Sequence, residues 1–163
     1  MGYAVPAAIG AKLAHPDRVV QTIVGDGAFM MTCMEILTAA TNDLGVIYYV
    51  FNDGELAQIG QAQAIPYKRK PCTRLGKLKV EGASRWQPAR AYLAMPDNGA
   101  IADVIAKAGE ISRGGRPVIV DVRIDYSKRT AFTTGTVKTN FGRFPFNEKL
   151  RFLTRAAVRH VAG

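Results

Sequence analysis

The sequence predicts an α/β domain with a mostly parallel sheet and helices on both faces. Three observations carry this. Short apolar runs rich in β-branched residues recur at Val19–Val24, Val46–Phe51 and Val118–Ile124. Segments of helical character separate them, and strands apolar on both sides belong in a sheet covered on both faces. Strand ends meet strong turn signals, Gly25-Asp26-Gly27 and Asn52-Asp53-Gly54.

In chain order, Ala4–Ala14 reads as a small-residue helix stopped at His15-Pro16-Asp17. The first strand, Val19–Val24, is broken by Gly25. Phe29–Ala40 is rich in Met, Leu and Ala and is expected to form a buried helix beginning near Ala28. Its Met30, Met31 and Met34 are expected in the core, its Cys33 as a buried thiol and its Glu35 in a buried setting. The second strand is Val46–Phe51. Gln61–Lys79 reads as an irregular, basic loop, and Ala91–Met95 as a short third strand. Ala100–Ser112 spaces Ile101, Val104, Ile105 and Ala108 as one helical face, and Arg113-Gly114-Gly115-Arg116-Pro117 ends it. Val118–Ile124 is the last buried strand. Beyond Asp125 the pattern dissolves into a Thr-, Gly- and Lys-rich tail, closed by an amphipathic basic helix over Glu148–Val161. The expected organisation is a domain over 1–125 and a basic C-terminal extension over 126–163 that ends in a helix.

Composition narrows the function classes. At 163 residues and 48% hydrophobic, the chain can bury one core. No apolar run is long enough to span a bilayer, and Met1–Pro6 lacks the basic n-region of a signal peptide. Cys33 and Cys72 do not make a disulfide scaffold, so a cytoplasmic location is expected. The net charge is +9, but it is uneven. Ser127–Gly163 carries eight Lys or Arg against Glu148 alone, and Lys68-Arg69-Lys70 with Arg74, Lys77 and Lys79 forms a second basic run. Solvated or partner-facing surfaces are the expectation for both. No nucleic-acid motif surrounds Tyr67–Lys70, so neither nucleic acid nor membrane is an expected partner. His15 is expected as a partner of the helix C-terminal dipole or as a solvated residue, and His160 as an exposed one. Trp86 fits either a core or an interface.

The chemistry lies at two strand ends, where open parallel sheets bind ligands. Gly25 and Gly27 let the backbone turn and approach a ligand closely. The helix that follows turns free N–H groups toward an anion. Asp26 repels a phosphate unless a divalent cation lies between them. Oxygens of Asn52, Asp53 and Glu55 at the second strand end can complete the shell of such a hard cation, as magnesium requires. Taken singly, each piece has a simpler explanation: Asp26 as a helix cap, Asn52-Asp53 as a local Asx turn.

Together, Gly25-Asp26-Gly27, one helix, one strand and Asn52-Asp53 resemble the thiamine-diphosphate motif, a Gly-Asp-Gly followed after such a gap by Asn-Asn. Gly2-Tyr3-Ala4-Val5-Pro6-Ala7-Ala8-Ile9-Gly10-Ala11 resembles the Gly-rich helix that precedes this motif in the acetolactate synthase and pyruvate oxidase branch. The chain is thereby similar, over residues 1 to about 125, to the C-terminal diphosphate-binding domain of thiamine-diphosphate-dependent enzymes.

The resemblance implies thiamine diphosphate and Mg2+ as cofactors. Asp26 and Asp53 would ligate the metal through side chains, and Glu55 through its main-chain carbonyl. Gly25 belongs to the binding motif, and Gly27 and Ala28 would give N–H groups to the diphosphate. Gly2 would open its helix against the diphosphate, Met1 falls on the apolar wedge that keeps the cofactor bent, and Leu56 and Ile59 would line the floor near the thiazolium. The implied function is 2-oxo acid decarboxylation with carboligation or C–C cleavage.

The sequence also departs from the family. Asp53 replaces Asn. Ala57-Gln58-Ile59-Gly60-Gln61-Ala62 stands where acetolactate synthases carry Gly-Met-Val-x-Gln-Trp, and Ile59 stands where pyruvate decarboxylases carry a catalytic Glu. No segment supplies the pyrimidine-binding domain whose Glu activates the cofactor, and no catalytic residue is identified in this chain. The expected partners are that domain or subunit, a small 2-oxo acid and a second copy in a homo-oligomer. The alternatives are an inactive cofactor-binding or assembly module, or a fragment of a larger enzyme. Met1 falls inside the motif, which favours the fragment.

Overall fold

The computed structural model describes residues 1–67, 72–76, 80, 91–128 and 130–162, with the side chains of 65–67, 132, 160 and 162 excepted. Trp86, Lys68–Lys70, Lys77, Lys79, Arg129 and the His160 side chain lie outside the described residues. The chain packs as two units. One comprises Met1–Gly54 and Leu75–Ile124, the other Glu55–Arg74 and Asp125–Gly163.

In the first unit, α1 (Ala4–Ala14) leads to β1 (Val20–Gly25), α2 (Asp26–Thr32), a 3-10 turn (Cys33–Glu35), α3 (Ile36–Thr41) and β2 (Val46–Asn52). After the excursion into the second unit come β3 (Ala91–Met95), then α5 (Ile101–Arg113) and β4 (Val118–Arg123). All three strand pairings are parallel, in the order β1-β2-β4-β3. Strand alternation then sorts side chains into two cores. Val46, Tyr48 and Val50 join Ile119 and Val24 against Val5, Ala8, Phe29 and Ile36 from α1, α2 and α3. Ile47, Val118, Val120 and Met95 pack with Ala108 of α5 on the opposite face. Helices therefore cover both faces of a parallel sheet, as the apolar strand runs require.

The strands and α1 lie within a residue or so of expectation, but three segments differ. The expected single helix over Phe29–Ala40 is broken into α2, a 3-10 turn and α3, because Thr32 leaves helical geometry at φ −140° and ψ 15°. It begins at Asp26 rather than near Ala28. Only Phe29, Ile36, Ala39 and Ala40 of that stretch are buried; Met30, Met31 and Met34 are exposed, Met31 by 62%. Apolar composition on all sides could not show which face is inside. For the same reason Glu35 is exposed and Cys33 only half-buried, packed at the edge of the core.

The remaining two differences are in the second unit. Part of the expected loop is helix, α4 (Ala57–Tyr67), and the expected irregular tail contains α6 (Ala131–Arg143) before α7 (Phe146–Ala162). Gly, Pro and Thr argued against helix by propensity, and a buried polar hub overrides them. Gln61 donates through Nε2 to the carbonyls of Tyr126 (3.2 Å) and Lys128 (3.1 Å). Its Oε1 accepts from the Thr133 hydroxyl (3.0 Å) and from the Thr130 backbone N–H (3.3 Å). Thr130 in turn caps α6 by accepting from the Thr133 N–H. Among the described residues, no helix is long and apolar enough to cross a membrane.

Candidate functional site

β1 ends in Gly25, the N-cap of α2, whose extended backbone (φ −71°, ψ 153°) makes no side-chain cap bond. Asp26 therefore does not cap the helix. It is the first residue of α2, only 3% exposed. One carboxylate oxygen accepts the Gly27 N–H at 2.7 Å, and the other accepts the Gly54 N–H at 2.7 Å. The second bond joins the end of β1 to the turn after β2. Gly54 sits at φ +73°, where a side chain is strained, and a Cβ there would approach the Gly76 carbonyl at 3.2 Å.

Asn52 ends β2, buried, and the Gly54 N–H that an Asx turn at Asn52 would need goes to Asp26. The Asn52 Nδ2 donates to Oδ1 of Asp121 in β4, at 2.9 Å. The other Asp121 oxygen accepts from the Tyr92 hydroxyl at 2.9 Å and faces the Arg123 guanidinium at 3.5 Å. Asp121 is itself buried. Sequence reasoning missed it, although a lone carboxylate inside an apolar strand was a usable signal: such a charge must be paired.

The first unit thus brings together Gly25, Asp26, Gly27, Asn52, Asp53 and Gly54. Gly27 is buried, Ala28 packs against the core, and Asp53 is half-buried. Gly2, at φ +78°, lies elsewhere: a Cβ on it would meet the Thr32 side chain at 3.4 Å, beside the last residue of α2 rather than the first. The Thr32 hydroxyl is buried without a partner. Met1 is 72% exposed. Glu55, Leu56 and Ile59 open the second unit. There the Thr73 hydroxyl donates to Glu55 Oε1 at 2.7 Å, the Leu56 N–H to the Thr73 carbonyl at 2.8 Å, and Ile59 is exposed.

The family described as thiamine pyrophosphate enzyme, C-terminal TPP binding domain, matches residues 1–122. The chain belongs to this family. It is 34% identical over 129 residues to the acetolactate synthase large subunit of Corynebacterium glutamicum, covering 74% of this chain and 20% of that protein. It is 31% identical over 143 residues to acetolactate synthase of Bacillus subtilis, covering 87% and 24%. It is 36% identical over 132 residues to the acetolactate synthase isozyme 1 large subunit of Escherichia coli, covering 79% and 23%. The match thus spans about a quarter or less of the length of these curated relatives. The resemblance to the acetolactate synthase branch is borne out, and so is the parallel α/β fold. Thiamine diphosphate is the cofactor of this family, with magnesium as its usual metal partner.

The residues present fit such a group. No cluster of three His, Cys, Asp or Glu side chains occurs among the described residues. A cation at this site would not be caged by these side chains alone and would be shared with phosphate oxygens, the usual habit of magnesium. Asp26 supplies a hard oxygen donor held by two backbone N–H groups. Each of its oxygens keeps a lone pair beyond the bond it accepts.

Proposed function

We propose that the chain is the diphosphate- and magnesium-binding part of an acetolactate synthase-like enzyme, one that decarboxylates a 2-oxo acid and forms or cleaves a C–C bond. The buried Asp26 carboxylate, fixed at 2.7 Å to the Gly54 N–H, carries this reading. Its orientation is set before any ligand arrives, so binding costs little reorganisation.

In this reading Asp26 and Asp53 hold magnesium through carboxylate oxygens, and Glu55 through its main-chain carbonyl. Gly25 and Gly27 keep the backbone close to the diphosphate, and Gly27 and Ala28 face it with main-chain N–H groups. Met1 and Gly2 contact the cofactor, and Leu56 and Ile59 border its reactive ring. Thiamine diphosphate held by these residues would supply a carbon nucleophile and an electron sink for decarboxylation. The chain's own residues position the diphosphate, neutralise its charge through the metal and exclude water from it. The carboxyl group that activates the aminopyrimidine comes from a pyrimidine-binding domain or subunit, and the working form is a homo-oligomer.

Titration calorimetry with thiamine diphosphate, with and without Mg2+, tests this. The parent binds only with Mg2+. Asp26→Ala and the isosteric Asp26→Asn lose the Mg2+-dependent binding, the latter because its amide nitrogen would face one of the two backbone N–H donors that Asp26 accepts, whereas Asp53→Asn keeps it because Asn is the family's residue at that position. Parental binding by both Asp26 variants would overturn the assignment.

A further inference from the structure

Asp121 puts a carboxylate into an apolar core. It is 2% exposed in β4. Strand alternation sets it on the face of Ile119, where Tyr48 and Val50 pack against α1, α2 and α3. A carboxylate is costly to desolvate there, and an apolar side chain of similar volume serves stability as well or better. What the carboxylate has is position. Register places it opposite Val50 in β2 and Ala94 in β3. Its two oxygens reach one pleat forward along β2 and one pleat back along β3. Asn52 donates to Oδ1 and the Tyr92 hydroxyl to Oδ2, each at 2.9 Å. The Asn52 carbonyl also accepts the Ile124 N–H at 3.5 Å, so the β4 side holds Asn52 by side chain and main chain alike.

β2 lies between β1 and β4 in the sheet. From the β1 side, Asp26 holds the Gly54 N–H at 2.7 Å. Asp53 therefore stands between two anchored neighbours, Asn52 and Gly54, each tied to a buried carboxylate from a different strand end. We infer that Asp121 is a positioning residue of the metal site proposed above: through the Asn52 amide it fixes the end of β2, and with it the direction in which Asp53 presents its carboxylate. The inference rests on that reading, which makes Asp53 a ligand. Groups that orient metal ligands without touching the metal change its affinity by about ten- to a hundredfold when removed. Asp121 acts through its hydrogen bond rather than its charge, which the Arg123 guanidinium, 3.5 Å from Oδ2, partly offsets.

The test is the Mn2+ affinity of the 163-residue chain in the presence of thiamine diphosphate, read by electron paramagnetic resonance, with Mn2+ standing in for Mg2+ at oxygen ligands. Asp121→Val suits a buried strand but accepts no hydrogen bond, and is expected to bind about tenfold more weakly or worse. Asp121→Asn is expected to stay within about threefold of the parent, because its Oδ1 accepts from Asn52 while its Nδ2 donates to the Tyr92 hydroxyl oxygen. Ser112→Ala loses the buried bond to the Gly45 carbonyl at the opposite end of β2; it is the control for general loosening and keeps the parental affinity. Circular dichroism verifies that the variants are folded. If Asp121→Val is not, Asn52→Ala, which removes the other end of the same bond, carries the test with the same expected loss. Parental affinity in the folded variant overturns the inference and leaves the metal site standing. A loss in Asp121→Asn as large as in Asp121→Val also overturns it, since charge rather than orientation would then be at work, and so does an equal loss in Ser112→Ala. If the parent binds no Mn2+ with thiamine diphosphate, the proposed function fails, and this inference with it.

Discussion

The carboxylate of Asp26 accepts the backbone N–H of Gly54 at 2.7 Å, across two strand ends twenty-eight residues apart in the chain. One side chain thus shapes the turn that carries Asn52 and Asp53. Removing it acts on the fold before it acts on any ligand. Asp26→Ala leaves the Gly27 and Gly54 N–H groups unmatched and lowers the stability of the ligand-free chain by about 1–3 kcal/mol. Asp26→Asn retains one acceptor and costs less. Urea unfolding of the three proteins measures the order, and an unchanged midpoint for Asp26→Ala would remove the structural role.

Asp121 is predicted to orient Asn52. Asp121→Ala strips the partner from the Asn52 amide and the Tyr92 hydroxyl and destabilises by about 2–4 kcal/mol, as expected when a buried charged partner is removed. Pairing Asp121→Ala with Asn52→Ala in a double-mutant cycle reads the coupling directly; additive effects would contradict the link.

Tyr48 gives a pH-dependent prediction. It is fully buried, its hydroxyl has no partner, and burial raises its pKa well above the ordinary value of 10.0. The folded state keeps the phenol neutral while the unfolded state ionises near pH 10. The stability tied to this group is whole below that pH and falls as pH rises above it. Tyr48→Phe should therefore flatten the loss of melting temperature between about pH 9 and 11. At neutral pH it is neutral or stabilising by up to about 1 kcal/mol, because an unsatisfied buried hydroxyl disappears. A clear loss at pH 7 would show that the hydroxyl has a partner.

Gly45 permits β2 to begin against α5. The Ser112 hydroxyl donates to its carbonyl at 2.8 Å, and a Cβ at Gly45 would overlap the Ser112 main-chain carbonyl. Backbone cannot move aside as a flexible side chain can, so Gly45→Ala is expected to cost about 3 kcal/mol or more. Thermal melts measure it, and a shift under one degree would refute the contact.

Without a pyrimidine-binding partner, the chain is expected not to promote C2 proton exchange of thiamine diphosphate. Light scattering across a dilution series is expected to show self-association, driven by exposed apolar residues such as Ile23, Met31 and Ile59. Rapid exchange, or a monomer at every concentration, would reverse the respective half of this prediction.

The strands were legible because buried parallel strands are rich in β-branched and aromatic residues, as Val46–Phe51 and Val118–Ile124 are. The motif around Asp26 was legible because glycines flank a carboxylate at a strand end. Asp121 was not, since its partners, Asn52 and Tyr92, are distant in sequence and become neighbours only through the β2–β4 and β3–β4 registers. Helices α4 and α6 escaped for a related reason: Gln61 and Thr133 stabilise them by a contact that local propensity does not encode. The exposed methionines show the converse, an apolar stretch whose composition does not say which side faces inward.

The strand order also bears on how quickly this chain can acquire its structure. β1 with β2, and β3 with β4, are each joined through an intervening helical passage, but Ile47 must find Val118 across a far longer stretch of chain. Closing that long loop is the entropically costly encounter. The two halves are expected to assemble first and wait with β2 and β4 unzipped. A nascent chain leaving the ribosome would expose the first half, β2 edge bare, until β4 has been synthesised. That interval, rather than the finished fold, is where a chaperone would have the most to protect.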